Sequence, residues 1–114
     1  MKHFSTDEFK CKCSKQCEIG MDAVLLEALE ALREAYGAPI TVTSGYRCPA
    51  HNATVGGHPR SAHMAGLAVD VHGADLKRLT ELALSMTCFI GVGIARGFLH
   101  LDVQPRTKRK VWKY

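Results

Sequence analysis

The sequence predicts an α+β fold in which a small antiparallel sheet has helices packed on one side. Two segments, residues 22–36 and 74–86, have apolar side chains at helical spacing. Short β-branched or alternating segments lie between and after them and are typical of strands. The chain has 114 residues, of which 46% are apolar and 23% charged, so it can bury a core. We expect a single domain over residues 1–114.

Capping signals indicate the first two helices. Ser5 and Glu8 have the spacing of a capping box, which predicts a short helix from about residue 5. The helix over residues 22–36 is predicted to end at Gly37, because Pro39 follows and cannot continue it. The larger side chains on its apolar face are Leu25, Leu29, Leu32 and Tyr36.

The strands are predicted from β-branched residues and from alternation of apolar and polar side chains. The predicted strands are residues 40–43, 67–72, 91–95 and 98–103, with a last edge strand at 111–112. Arg96 and Gly97 join two of them as a hairpin. Pro49 can open a short helix that continues to Val55.

Two of the predicted strands carry a carboxylate and an imidazole on one face. Since side chains alternate along a strand, Asp70 and His72 share the face that has no large aliphatic side chain. His100 and Asp102 do the same in the strand over residues 98–103. Ordinary solvent-facing strands are depleted in Asp, so two such faces in one small sheet point to a functional site.

A metal site can form between these strands. His63 precedes the second strand, and Gly66 allows a turn that brings His63 back towards Asp70. His63, Asp70 and His100 can then meet on one concave face. Two imidazoles and one carboxylate are a usual protein ligand set for catalytic zinc, with a fourth position left for water. The alternative from spacing alone is three polar residues that are satisfied separately.

Cysteine is abundant for a chain of this length, with 5 residues. Cys11, Cys13 and Cys17 are close in sequence, and with Cys48 they can form a structural zinc site of four thiolates. Their spacing is not that of a common zinc finger. Cys88 lies in an apolar segment and is predicted to be a buried thiol.

The net charge of +4 is concentrated near the C-terminus. The basic residues of segment 106–114 are Arg106, Lys108, Arg109, Lys110 and Lys113. They form either a solvated edge or a surface for a polyanion, such as nucleic acid or an anionic cell wall. Neither a secretory signal nor an apolar stretch of about 20 residues is present, so we expect a protein made in the cytoplasm without a membrane span.

At the residues of the predicted metal site, the sequence resembles the zinc D-alanyl-D-alanine peptidases, and especially the small murein peptidases of phages and bacteria. The matching residues are Ser61, His63, Gly66, Ala68 and Asp70, followed by Phe98, His100 and Asp102. Residues 44–57 resemble the segment that precedes this motif in the family. The resemblance extends from about Phe4 to Trp112 and implies a fold like that of hedgehog-type and lysostaphin-type domains.

The resemblance also implies roles for individual residues. His63, Asp70 and His100 become the zinc ligands. Arg47 matches an arginine that engages the substrate or the developing oxyanion. Ser61 matches a serine that supports the loop of the first ligand, while His51 and Asn52 are expected to hold the preceding loop together.

The sequence departs from the family at the position of the catalytic acid. Many members have Glu or Asp three residues before the last histidine, where this chain has Gly97. Asp102 is the first candidate for the proton acceptor and His72 the second. The alternative role for Asp102 is to orient His100 through a hydrogen bond.

The implied function is a zinc-dependent metallopeptidase of endolysin type. Its substrate would be a stem peptide or cross-link of peptidoglycan, cut as a carboxypeptidase or an endopeptidase by a monomer that reaches the wall after lysis or export. One alternative is a non-catalytic, zinc-containing module that binds the cell wall. Another is a nucleic-acid-binding protein, which is disfavoured because only Trp112 and Tyr114 of the short basic segment offer stacking.

Overall fold

A computed structural model describes residues 2–17 and 19–114 of the chain. The α-helices in these residues are α1 (Ala23–Tyr36), α2 (Pro49–Thr54) and α3 (Leu76–Ser85). The strands are β1 (Thr41–Ser44), β2 (Ala68–His72), β3 (Gly91–Ile94), β4 (Leu99–Asp102) and β5 (Lys110–Lys113). Two 3-10 helices, Thr6–Phe9 and Ala62–Ala65, precede α1 and β2 respectively. The predicted α+β class is confirmed.

The strands form one sheet in the order β1-β2-β4-β3-β5. The pairs β1–β2, β2–β4 and β3–β4 are antiparallel, as predicted, whereas β5 pairs with β3 in parallel. The connection over residues 103–109 explains this difference. Because β4 ends opposite the start of β3, the connection brings Lys110 next to Gly91, and β5 then runs in the direction of β3.

The apolar core lies on one face of the sheet, under α1 and α3. The core side chains of the two helices include Leu25, Leu29, Leu32, Leu79 and Ala83, all fully buried. From the sheet they meet Val69, Val71, Val92, Leu99 and Leu101, also fully buried. Every second residue of β2 and β4 is therefore in the core, and the residues between them face the opposite side.

The predicted ends of α1 are observed. The Asp22 side chain accepts a hydrogen bond of 3.1 Å from the N–H of Leu25 at the start of the helix. Gly37 ends it in the left-handed conformation and donates to the Arg33 carbonyl. The expectation for Cys88 was wrong, because this residue is exposed. It lies in the turn after α3, where its neighbour Phe89 fills the core position instead.

The N-terminal segment packs against the turn that follows β1. The N–H of Ser5 donates to Oε2 of Glu8 at 2.7 Å, as the predicted capping box requires. Tyr46 then donates its N–H to the Phe9 carbonyl at 2.9 Å. This contact fixes the turn over residues 44–48 from its outer side, and the same turn contributes to the functional site.

Arg109, an exposed residue of the C-terminal basic segment, binds this segment to the end of α3. The Arg109 guanidinium donates to four carbonyl oxygens at the end of α3 and just after it, at distances of 2.7 to 3.2 Å. These oxygens belong to Ala83 (3.1 Å), Leu84 (2.7 Å), Met86 (3.2 Å) and Phe89 (2.9 Å). A cation at a helix C-terminus also complements the helix dipole. Lys108, Lys110 and Lys113 remain exposed.

Among the residues that the structure describes, none of the helices is long and apolar enough to cross a membrane.

Candidate metal centre

The face of the sheet opposite the helices brings together His63, Asp70 and His100. Oδ1 of Asp70 lies 3.2 Å from Nε2 of His63 and 3.0 Å from Nδ1 of His100. Asp70 and His100 are direct partners in the pairing of β2 with β4. His63 lies in the 3-10 helix Ala62–Ala65, which ends at Gly66 with a φ of +71°. All three residues are at most 6% exposed, and one donor atom from each lies within 4.8 Å of the others.

The outer nitrogens of both imidazoles are held by acceptors. Nδ1 of His63 lies 2.8 Å from the Gly45 carbonyl oxygen, and Nε2 of His100 lies 2.8 Å from Oδ2 of Asp102. Since a carbonyl and a carboxylate only accept, each ring donates its outer N–H. The inner nitrogens, Nε2 of His63 and Nδ1 of His100, face Oδ1 of Asp70 and are the atoms that would bind a metal. This donor set and these outer hydrogen bonds are what a bound divalent zinc ion requires.

Asp102 lies on the far side of His100 from Asp70. Its side chain is 1% exposed, and both of its oxygens bind the Arg106 guanidinium, at 2.6 and 3.2 Å. Burial alone would raise the pKa of Asp102, but hydrogen bonds from His100 and Arg106 lower this pKa to about 2. The carboxylate is therefore ionised at neutral pH and is already fully hydrogen-bonded.

Arg47 contacts the second oxygen of the central carboxylate. Its Nη2 lies 3.1 Å from Oδ2 of Asp70, while Nε and Nη1 bind Ser44 Oγ and Asn52 Oδ1 at 3.1 and 3.3 Å. Burial would raise the pKa of Asp70, but hydrogen bonds from His100 and His63 hold it below its usual range. The predicted location of Arg47 near the metal centre is thus observed, and its guanidinium leaves Oδ1 of Asp70 to the two imidazoles.

The other residues singled out from the sequence lie around the centre rather than in it. Ser61 Oγ accepts the N–H of His63 at 3.3 Å and caps the 3-10 helix that contains it. Asn52 is buried and donates to the His58 carbonyl at 2.9 Å, which fixes the loop before Ser61. His72 is exposed, bonds to the Gly97 carbonyl at 3.1 Å, and is not among the residues that line the cavity.

Sequence reasoning did not find the contribution of β3 and β5 to this face. The rings of Trp112 and His100 have their centroids 5.1 Å apart. Gly93 pairs with Trp112, and a Cβ at Gly93 would lie 2.7 Å from the indole. A Cβ at Gly91 would overlap the carboxylate of Asp102. The sequence did contain a signal for this contribution. Gly91 and Gly93 alternate along β3, and without side chains they leave space on the face where the polar residues lie.

The metal centre opens into a cavity of about 580 Å³, a volume typical of ligand sites. The basic residues that line it are Arg47, Arg60, Arg106 and Lys110, and the aromatic ones include Phe98, Trp112 and Tyr114. Arg47 and Arg106 are paired with Asp70 and Asp102. In residues 2–17 and 19–114, neither Arg60 nor Lys110 forms an ion pair, so their charge is available to a ligand in the cavity.

The cysteine cluster lies away from this centre. Sγ of Cys11 is 3.7 Å from Sγ of Cys48, and Sγ of Cys13 is 3.6 Å from Sγ of Cys17. The fold therefore brings together the four cysteines that the sequence analysis had grouped.

A family model described as Peptidase M15 matches residues 2–102. No curated protein matches the chain. The matched span contains all three residues of the metal centre, His63, Asp70 and His100, and ends at Asp102.

Proposed function

The chain belongs to the peptidase M15 family, and from this premise we propose that it is a zinc-dependent peptidase that hydrolyses peptide bonds of peptidoglycan. The observation that carries the proposal is the set of inward-facing donor atoms: Nε2 of His63, Oδ1 of Asp70 and Nδ1 of His100. These residues would hold the zinc ion. The chemistry that zinc supplies in such a site is activation of water and electrostatic stabilisation of an oxyanion.

Hydrogen bonds to the ligands support defined roles for their neighbours. Gly45 and Asp102 accept from the outer nitrogens of His63 and His100 and so fix the tautomers that leave the inner lone pairs free. Arg47 binds Oδ2 of Asp70 and so orients that carboxylate. Because Arg47 also borders the cavity, its remaining donor capacity can face a substrate carbonyl or carboxylate.

The observed contacts disfavour both residues that the sequence suggested as the proton acceptor, His72 and Asp102, for different reasons. His72 is disfavoured because it does not line the cavity and is bonded to the hairpin turn at Gly97. Asp102 does line the cavity, but both of its oxygens are bound by Arg106. The contacts of Asp102 support the role of orienting His100.

The charge of the cavity supports a substrate that carries carboxylates. Arg60 and Lys110 line it without carboxylate partners in the described part of the chain, and aromatic rings lie beside them. Stem peptides of peptidoglycan are short and end in carboxylates, which arginine binds through paired hydrogen bonds. The proposed enzyme removes a terminal D-Ala or cuts within a stem or cross-link, and it acts on the wall after lysis or export.

The test compares wild-type protein with His63→Ala and, as a matched control, with His72→Ala. We expect His63→Ala to lose both the bound zinc and the hydrolysis of purified peptidoglycan, because one of three protein ligands is gone. His72→Ala should keep both, since His72 lies outside the cavity. Mass spectrometry of the released fragments would identify the bond that is cut. Undiminished hydrolysis by His63→Ala would refute the proposal.

A non-catalytic module that binds the cell wall is the second candidate. It is favoured by one observation: among the described residues that line the cavity, the only carboxylates are Asp70 and Asp102, and both are already hydrogen-bonded. In that case, zinc-loaded protein would sediment with purified sacculi and release no soluble fragments.

A further inference from the structure

We infer that Cys11, Cys13, Cys17 and Cys48 form a structural zinc site with four thiolate ligands, separate from the centre at His63, Asp70 and His100. The inference rests on the arrangement of the four sulfur atoms, on the backbone groups around them, and on the position of Cys48 in the chain. It does not depend on the peptidase proposal, because none of these cysteines lines the catalytic cavity.

The sulfur atoms have the separations expected of a tetrahedral site. With zinc–sulfur bonds of about 2.3 Å, the edges of a tetrahedron of sulfur atoms are about 3.8 Å long. The observed separations are 3.7 Å for Cys11 and Cys48 and 3.6 Å for Cys13 and Cys17. The sulfurs of Cys11, Cys13 and Cys48 all lie within 4.8 Å of one another. Cys17 lies outside this set of three and joins it through the contact of its sulfur with that of Cys13. Three thiolates are thus gathered around one position, and the fourth lies beside them.

The same contacts argue against two disulfide bonds. A disulfide joins sulfur atoms in pairs at about 2.05 Å, and nothing then holds one pair against the other. Here the sulfurs of Cys11 and Cys13, which would belong to different disulfides, lie within 4.8 Å of each other and of the sulfur of Cys48. Contact between the two pairs is expected when one ion holds all four thiolates.

A backbone N–H group points at one of the sulfur atoms. The N–H of Cys48 donates to Sγ of Cys11 at 3.3 Å. The loop is closed by a 2.8 Å bond from the Cys11 N–H to the Cys17 carbonyl. Such donors stabilise thiolate charge and orient the ligands, as neighbouring hydrogen bonds do at metal sites generally.

The position of Cys48 connects the proposed zinc site to the turn that contacts His63 and Asp70. Cys48 is the residue before α2 and directly follows Arg47, which binds Asp70. The same turn presents the Gly45 carbonyl to His63. An ion that joins Cys48 to the loop over residues 11–17 would fix this turn, and with it two of the hydrogen bonds that orient the proposed catalytic ligands. The zinc would therefore act as a structural support for the neighbouring centre.

Zinc content of the full chain, measured by elemental analysis on reduced protein, tests the inference. Wild-type protein should hold a second equivalent of zinc, which Cys13→Ser and Cys17→Ser each lose. The exposed Cys88 provides the matched control, and Cys88→Ser should keep both equivalents. His63→Ala should lose one equivalent and keep the other, which separates this site from the catalytic one.

Cobalt substitution gives a second readout, which wild-type protein can provide even if a cysteine variant does not fold. Cobalt bound by several thiolates produces an intense charge-transfer band, which should be present in wild type, Cys88→Ser and His63→Ala. Titration of wild-type protein with a mercurial reagent should release one zinc ion as the four thiols of the site react, in addition to the exposed Cys88. Wild-type protein with a single equivalent of zinc that His63→Ala removes, or an intact mass lower by four hydrogens, would overturn the inference.

Discussion

Asp102 binds His100 from the side of the ring that faces away from the metal centre, with Oδ2 of Asp102 2.8 Å from Nε2 of His100. The opposite ring nitrogen, Nδ1, lies 3.0 Å from Oδ1 of Asp70. The carboxylate of Asp102 thus fixes which nitrogen keeps its proton and which offers a lone pair to a metal. Its ionised state is secured by Arg106 on both oxygens. Asp102 therefore contacts the His100 ring on the side opposite the candidate metal position.

The variant Asp102→Asn separates orientation of His100 from proton transfer. The amide oxygen can still accept from His100, but the ion pair with Arg106 is lost. Loss of such a supporting contact weakens metal affinity by roughly 10-fold to 100-fold. We expect weaker zinc binding in a chelator competition assay, with peptidase kcat largely recovered at saturating zinc. A kcat that stays several orders of magnitude low in fully loaded protein would instead identify Asp102 as the proton acceptor.

The variant Gly91→Ala tests the space that β3 leaves for Asp102. A Cβ at Gly91 would overlap the Asp102 carboxylate, so either that side chain or the strand must shift. We expect lower zinc affinity and a free energy of unfolding reduced by about 1–3 kcal/mol, the usual cost of overpacking. Gly97→Ala is the matched control, because a Cβ at Gly97 meets nothing within 4 Å. Equal behaviour of the two variants in chelator competition and urea denaturation would contradict this explanation.

Alternation along the strands was sufficient to predict where two residues of the candidate site lie. It assigned Asp70 and His100 to the face away from the core, and the pairing of β2 with β4 makes them direct neighbours. His63 followed from the turn at Gly66, which has a φ of +71°. These predictions succeeded because they depend on local geometry, which residue type and spacing largely determine.

The contributions of Trp112 and Arg106 could not be predicted in the same way. Trp112 contacts His100 only because β5 pairs with β3 in parallel, and a strand pattern does not specify the direction of its partner. Arg106 reaches Asp102 through the irregular connection over residues 103–109. The error at Cys88 has a similar origin, since an apolar segment does not reveal which of its residues, here Phe89, turns inward.

The variant Arg109→Ala tests whether the basic C-terminal segment supports the fold. The Arg109 guanidinium donates to Ala83, Leu84 and two later carbonyls, all near the end of α3. We expect a loss of about 1–2 kcal/mol in the free energy of unfolding by urea denaturation, the range of charge-assisted hydrogen bonds and helix-dipole effects at partly exposed sites. Lys108→Ala removes an exposed neighbouring charge and should change this free energy little. Equal effects of the two variants would show that Arg109 acts only through net charge.

The ion pairs of Glu34 predict a pH dependence of stability. Glu34 on α1 accepts from Lys2 at 2.9 Å and from His3 at 2.8 Å, which joins the N-terminal segment to the helix. The hydrogen bond from Lys2, followed by that from His3, lowers the pKa of Glu34 to about 2. Since the folded-state pKa lies below the unfolded value near 4.5, the contribution is complete above that pH and is lost as the pH falls towards 2. Thermal melting should show Glu34→Gln less stable than wild type at pH 7, with the difference vanishing near pH 2.

Glu27→Gln, at an exposed position of the same helix, is the control and should show a smaller difference at pH 7. Because the pairs are exposed, added salt should reduce the effect of Glu34→Gln, and an effect independent of both pH and salt would contradict an ionic origin.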